Sequence, residues 1–368
     1  QPPSTSQNEL DGRATALAYG SRNLLHGINL WHSLNPYAEP ILKIQVSDQG
    51  HFATSHLSAT EMGSEALGYV IENRLMRNLM LQRLQQLSDW IELIDQAQVM
   101  QVDNAFCDSL VTYKRDGQTH HLSAQLIVIA DGGDSKLRRY LGMYSDSQSY
   151  HQVAVVVDVV LERPHLGLAC ERFTRSGLLA LLPLRDHTQT DTRIHRAAVV
   201  WIQPQQRAEE LRQLSDRALL IELQRQAGYR LGFLQRLGGR QVYPLSLSLS
   251  REQVRQGLVV AGNAAHTLHP IAGQGFNLAL RSCFALAQYV FQACEKRQNL
   301  GDLAGLNTYQ HIMQRDQRRI VGLSDGVMRM FSNNKPHLSL LRQAGLLALE
   351  QTPWAKQIFI RGAMGMED

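Results

Sequence analysis

The sequence predicts an α/β protein: a three-layer domain built on a parallel sheet, a mixed β-sheet domain inserted into it, and helices at the C-terminal end. Three observations carry this. The stretch Gly257–Glu295, GLVVAGNAAHTLHPIAGQGFNLALRSCFALAQYVFQACE, reads as a short buried strand at Leu258–Ala261, a loop at Asn263–Gly275 and a helix from about Phe276 to Glu295. Far upstream, Leu126–Ala130 (LIVIA) is a continuous apolar run suited to the centre of a parallel sheet. Between them lie the strand-like segments Val153–Leu161, Leu178–Leu184, Ala197–Ile202 and Gln241–Ser248, interrupted by one helix, Ala208–Gln226.

The chain opens on a polar, Pro- and Ser-containing stretch, QPPSTSQNEL. Asp11–Leu25 follows as a helix, with Leu17, Leu24 and Leu25 among small residues. Leu42–Val46 and Phe52–Leu57 read as strands around the turn Asp48–Gly50. Gly68–Leu87 has the spacing of an amphipathic helix, with Leu75, Leu79, Met80, Leu84 and Leu87 three and four residues apart. Ile91–Met100 and Leu110–Tyr113 are strand-like, and Asp116-Gly117 marks a hairpin turn after them. Asp131-Gly132 closes the LIVIA strand, and Ser135 stands where an N-cap would start the helix KLRRYL. In the helix after the glycine loop, Phe276, Leu280, Phe284, Ala287 and Phe291 share a face. Leu306–Arg329 is helical with Arg315, Arg318 and Arg319 on its polar side. His337–Glu350 is apolar over most of its circumference, so it packs on its own domain, on a partner subunit or on a membrane surface.

Composition excludes several classes. The 368 residues are 44% hydrophobic and 19% charged, as in an ordinary globular chain. A net charge of +4, from 37 Lys+Arg against 33 Asp+Glu, is too mild to argue for nucleic acid, and no basic stripe with interleaved aromatics is present. Cys107, Cys170, Cys283 and Cys294 contain no C-x-x-C pair, which fits a reducing, cytoplasmic compartment. No apolar run approaches the ~20 residues of a membrane span. His266 and His269 are three apart without a neighbouring Cys or carboxylate, so no metal site is expected. No G-x-S-x-G elbow for acyl transfer occurs.

A strand, a glycine-bounded loop and a helix start present backbone N–H groups to an anionic or electron-rich ligand. Gly273 and Gly275 carry no Cβ, so a flat ligand can lie against that backbone, and Asn277 in the first helical turn adds an amide. The same glycines would serve a tight connection that binds nothing. The full string decides between the two. Gly262, Ala264, Ala265, His266, Pro270, Gly273, Gln274, Gly275 and Asn277 match the second flavin motif, G-D-A-A-H-x-x-x-P-x-x-G-Q-G-x-N, of the group A flavoprotein monooxygenases. The chain thus resembles the para-hydroxybenzoate hydroxylase family. Asn263 departs from it, standing where the family has the aspartate that holds the ribityl chain. Asp131, Gly132, Ser135 and Arg138 resemble the family's D-G-x-x-S-x-x-R motif, in which the aspartate contacts FAD and locks to the arginine. Tyr243-Pro244-Leu245 resembles the segment leading back into the flavin domain.

The resemblance implies an FAD-binding Rossmann-like three-layer domain at 1–35, 62–147 and 249–330, a substrate domain at 36–61 and 148–248, and a C-terminal helical region at 331–368. The cofactor would be FAD, with NAD(P)H as a transient reductant and O2 activated as a flavin C4a-hydroperoxide. Cofactor-binding candidates are Arg13, Arg74, Asp131, Gly132, Gly262, Asn263, Pro270, Gly273, Gln274, Gly275, Phe276 and Asn277. Arg13 and Arg74 are equally readable as solvated cations. Phe173 and Leu178–Leu182, including Ala180 and Leu182, would line the roof over the flavin or serve as ordinary core. No side chain stands out as catalytic acid or base.

DGRA, HTLHPIAGQGFNL and GN in place of GD resemble most the 2-polyprenyl-6-methoxyphenol hydroxylases of bacterial ubiquinone biosynthesis. That implies hydroxylation of a polyprenylated phenol, as a homo-oligomer or within a quinone-biosynthesis complex, with a peripheral contact to the inner membrane as a further expectation. The alternatives are an FAD-poor structural subunit of such a complex and a related flavoprotein hydroxylase or reductase acting on another substrate. In the family a strand–GxGxxG–helix unit precedes the stretch resembled by DGRA; no such unit stands in this sequence, so weak FAD binding is expected of the chain as given.

Overall fold

The computed structural model of the protein describes residues 13–365, apart from 51–53, 104–107, 175, 190–191, 269–272, 332–344 and 346–349. The LIVIA run forms the expected parallel pair, Ile127–Ile129 beside Leu258–Val260, with Val128 opposite Val259. Val254–Arg255 adds an antiparallel neighbour. Leu258, Val259 and Val260 are buried on both faces, which explains why this strand is uniformly apolar. One face packs on Ile129, Met143, Ala264 and Ala265; the other packs on Leu278 and Leu286 of the helix Gln274–Glu295 and on Leu306 and Met313 of the helix Leu303–Phe331.

The helix Gln274–Glu295 lies between two bodies and so buries two stripes. Leu278, Ser282, Leu286 and Ala293 form the buried line. Phe276 and Leu280 pack toward Leu17, Leu25 and Trp31, while Phe291 is exposed. The single face drawn through Phe276, Leu280, Phe284, Ala287 and Phe291 is therefore corrected: only its N-terminal end meets the core.

Two predicted helices begin as strands. Asp11–Leu25 is a strand, Ala14–Ala18, followed by a helix, Tyr19–Gly27. Gly68–Leu87 is a strand, Gly68–Glu72, followed by a helix, Asn73–Gln86. The strands pair antiparallel with Val70 opposite Ala16, and Glu39–Ile41 closes the other edge of Gly68–Glu72. Tyr69, Val70 and Ile71 are all buried, as in a central strand covered on both faces; this pairing overrides the helical spacing that continues beyond it. The predicted strand Ile91–Met100 is also corrected, since strand begins only at Gln98 and runs to Asp103. The hairpin at Asp116-Gly117 stands, both residues at positive φ, between Ser109–Arg115 and Gln118–Ala124.

The inserted block builds a mixed nine-stranded sheet. Its centre is Ser145–Leu161, Thr192–Pro204 and Gly177–Gln189, joined antiparallel. Leu168–Thr174 follows, antiparallel to Gly177–Gln189 but parallel to Lys43–Asp48, and Thr54–Ser58 ends that side. One face is covered by two helices, with Leu211, Leu219 and Leu223 on Val155, Val157, Leu179 and Trp201. The helix predicted over Ala208–Gln226 is broken into Ala208–Gln213 and Asp216–Ala227 because Ser215 caps the second, accepting from the Ala218 N–H at 3.3 Å. The other face meets the front strands: Ile44, Ala169, Leu182 and Ala198 pack with Ala14, Ala16 and Val70.

One polar link crosses this junction. Arg196 donates to Glu72 at 2.9 Å and to Asp158 at 3.1 Å, with all three side chains largely buried. Of the predicted helix His337–Glu350 most residues lie outside those described. Glu350 itself accepts from Ser55 Oγ and the His56 N–H, both at 3.0 Å. No helix among the described residues is long and apolar enough to cross a membrane.

Removing Arg196 would take one buried guanidinium away from two largely buried carboxylates. Arg196→Leu is expected to cost about 3–5 kcal/mol of stability. Urea unfolding of the parent and of Arg196→Leu checks this, and Asp158→Leu together with Glu72→Leu in the same chain should recover most of the loss.

Candidate FAD site

The loop after Leu258–Val260 leaves the strand through Gly262, at φ +59°, into a short 3-10 turn at Gly262–Ala264. The chain re-enters at Gly273, whose left-handed φ of +61° turns it into the helix Gln274–Glu295. This conformation favours glycine at Gly273. A Cβ there would also stand 3.3 Å from the Ala16 Cβ and 3.4 Å from the Ala16 carbonyl oxygen. The glycine therefore lets the helix start pass hard against the front strand.

Asn277 fastens that approach. Its Oδ1 accepts from the Ala18 N–H at 2.8 Å, and its Nδ2 donates to the carbonyls of Ala16 at 3.0 Å and Gly273 at 2.9 Å. With 1% exposure, it is committed to backbone; a cofactor-facing amide was the sequence reading, and the structure gives it a positioning task. Phe276 likewise turns toward the Trp31 cluster, and Gln274 is buried. The open positions are the glycines: a Cβ at Gly262, Gly275 or Gly132 would meet nothing within 4 Å.

The second motif lies beside the first. A Cβ at Gly133 would come within 2.8 Å of Thr267 Oγ1, so the two loops touch. Ser135 caps its helix as expected, accepting from the Arg138 N–H at 3.0 Å. Arg138 is buried and donates to the Ala264 carbonyl at 2.6 Å, tying the two loops together. The lock between Asp131 and Arg138 implied by the resemblance is not formed: no ion pair joins them among the described residues, and Asp131 is exposed. Asn263 is exposed, and among the described residues its backbone oxygen accepts from Thr267 Oγ1 at 3.4 Å. Arg13 and Arg74 come to one edge: the Arg13 carbonyl accepts from the Asn73 N–H at 2.9 Å, and both arginines are exposed. Pro270 lies outside the described residues.

Next to these loops opens a cleft of ≈510 Å³, lined among others by Gly133, Asp134, Arg138, Arg139, Ser147 and Thr267. Hydroxyls and guanidinium groups suit it to a polar ligand rather than to a hydrocarbon chain. His266, in the first loop, is 1% exposed, and neither ring nitrogen finds a hydrogen-bond partner among the described residues. Burial pushes its pKa down to about 4, so the ring is neutral and acts as packing. No cluster of three or more metal-ligating side chains occurs among the described residues.

These residues fit FAD. The helix start offers backbone N–H groups beside glycines with open space where a side chain would stand, and the dipole there favours an electron-rich edge. Comparison with known proteins agrees. The profile described as FAD binding domain matches residues 4–322. The chain belongs to the FAD binding domain family. It is 33% identical over 355 residues to ubiquinone hydroxylase UbiL of Rhodospirillum rubrum, covering 96% of this chain and 80% of that one. It is 26% identical over 375 residues to the 3-demethoxyubiquinol 3-hydroxylase of Escherichia coli, covering 99% and 90%. Among solved structures, p-nitrophenol 4-monooxygenase PnpA of Pseudomonas putida superposes with a TM-score of 0.79 at 14% identity, over 98% of this chain and 90% of that one. That likeness concerns the fold. FAD is thus the family's cofactor, and Gly262 and Gly275 are positions in this loop with open space where a side chain would stand, while Gly273 is occupied with the front strand.

Two outcomes follow from this geometry. Gly273→Ala forces a left-handed residue against Ala16 and should cost about 1–2 kcal/mol of stability, with FAD affinity falling alongside, as thermal melts and flavin titration would read. For His266 the folded pKa lies below the ordinary 6.5, so the unfolded chain takes up the proton first as pH falls. Stability present above pH 6.5 is lost toward pH 4, by at most about 3 kcal/mol. The unfolding midpoint of the parent should therefore drop between pH 7 and 5 by more than that of His266→Leu.

Proposed function

We propose that this chain hydroxylates the ring of a polyprenylated phenol in ubiquinone biosynthesis, as an FAD-dependent, NAD(P)H- and O2-using monooxygenase. The observation that carries it is the shared front strand. Ala16 touches the glycine turn of the FAD site, and Ala14 and Ala16 also pack with the apolar face of the nine-stranded sheet. A cofactor on the turn and an apolar substrate under the sheet are thereby neighbours. The names of the similar enzymes, hydroxylases of ubiquinone and its precursors, point to the same substrate class.

The overall reaction takes one ring C–H, one O2, one NAD(P)H and one proton to a phenol, water and NAD(P)+. Bound FAD supplies the oxygen-transfer chemistry. The chain's own residues supply the rest. N–H groups of the first turn of the helix Gln274–Glu295 would stabilise negative charge on a bound flavin. Asn263, exposed at the loop tip, can both donate to and accept from the hydroxyls of a ribityl chain. The sheet face excludes water and receives the prenyl chain, while Phe173 at 6% exposure and Leu178 at 3% stiffen its far end as core rather than as open lining.

An absorbance spectrum and a hydroxylation assay test the reading together. The FAD-loaded protein should convert a short polyprenylated phenol, with NAD(P)H, to a product one oxygen heavier. Asn263→Leu should release FAD. Asn263→Asp gains charged hydrogen bonds worth roughly 1.5–3 kcal/mol against about 1 for neutral ones, so FAD binding should tighten or hold. Asn263→Leu keeping its flavin would remove this loop from the ribityl chain.

A further inference from the structure

The strand Leu168–Thr174 alternates faces, and its register puts Ala169, Glu171 and Phe173 on the side turned toward the front strand. Glu171 stands in one cross-strand row with Val46, Ala180, Val200 and Val156. Val200 and Val156 belong to central strands whose opposite face is closed by helices, yet both valines are only half-buried. Ala180, between Glu171 and Val200, is buried, so the row is a partly covered strip of apolar wall carrying one carboxylate on the face turned toward the front strand. The Glu171 side chain is half-buried and makes no hydrogen bond or ion pair with any described residue, while its backbone is held in the ladder.

A carboxyl group on an apolar wall without a partner is costly unless a ligand completes it. Four charged groups described on the elements around it are otherwise engaged. Arg196 is bound to Glu72 and Asp158. Glu350 takes Ser55, His56 and Lys356. Asp48, one row away, has an interaction of its own. Arg172 lies on the opposite face and donates to the Ala227 carbonyl.

Resting on the phenol-hydroxylase reading above, we propose that Glu171 binds the ring hydroxyl of the substrate and takes its proton. The phenol O–H bond breaks and a carboxyl O–H bond forms. The electron pair stays on the phenolate oxygen, raising electron density at the ring carbons ortho and para to it, where an electrophilic oxygen attacks. The carboxyl proton then leaves to solvent when product departs. Burial raises the Glu171 pKa to about 7, which poises it to exchange a proton near neutral pH.

The probes are 2-farnesylphenol and its methyl ether, with FAD-loaded protein. For the parent, kcat/KM on the phenol should rise about tenfold from pH 6 to 8 with one inflection, as a carboxylate base titrating near neutrality requires. Binding, followed by the perturbed flavin spectrum, should favour phenol over ether by about tenfold at pH 8. Glu171→Gln should lose both the inflection and the preference while keeping its flavin, and Glu171→Asp should retain an inflection. A Glu171→Gln protein with the parent's pH profile and phenol preference overturns the assignment. If the variants do not fold, the parent alone decides through the preference for phenol over ether: a preference that grows across the inflection supports the role, and one that does not change with pH overturns it. Should the parent neither bind nor oxidise 2-farnesylphenol, the substrate reading itself falls, and this role with it.

Discussion

The three hydrogen bonds of the Asn277 side chain are what the rest of the arrangement depends on. They join the first turn of the helix Gln274–Glu295 to two backbone groups of the strand Ala14–Ala18, more than 250 residues away, and to the Gly273 carbonyl at the helix's own start. One amide thereby fixes the direction in which the glycine turn faces. It also places that turn against the strand on which the inserted sheet rests. Glycine suits position 273 because both its φ and the nearness of Ala16 penalise a side chain.

From that joint the two halves divide the physical work. The turn and the loop at Asp131–Ser135 are polar backbone with open space, bound to each other through Arg138 and the Ala264 carbonyl. The sheet opposite is apolar, and its charged groups are neutralised by each other at Arg196, Asp158 and Glu72. A flat, electron-rich cofactor suits the first surface and a hydrocarbon-bearing ring suits the second. Glu171 is the exception on the second surface, and an exception of that kind is where specificity for a hydroxyl would reside.

Much of this was legible in the sequence. The LIVIA and LVV runs are apolar throughout and form a parallel pair, although among the described residues LIVIA lies at the edge of its sheet, with Val128 46% exposed, and not at the centre. The string from Gly262 to Asn277 is sufficient for the family. The differences between local pattern and fold have one cause: spacing along the chain does not report the long-range pairing that decides. Gly68–Glu72 continues into a helix with compatible spacing, and its pairing with Ala14–Ala18 on one edge and Glu39–Ile41 on the other makes it a strand. Asn277 was read as facing a ligand for the same reason, since nothing local announces that a strand lies beside it. Glu171 offered a usable signal that went unread, a charge at the alternation position shared by Ala169 and Phe173 in LACERFT.

The most direct test of this account is the FAD dissociation constant of Asn277→Ala, measured below its unfolding temperature beside that of the parent. Three hydrogen bonds at about 1 kcal/mol each are lost, all of them to backbone groups that remain in place. The account predicts that FAD binding weakens by at least about tenfold while the circular dichroism spectrum is retained. A variant that stays folded and binds FAD as tightly as the parent would contradict it, because the glycine turn would then hold its direction without the amide.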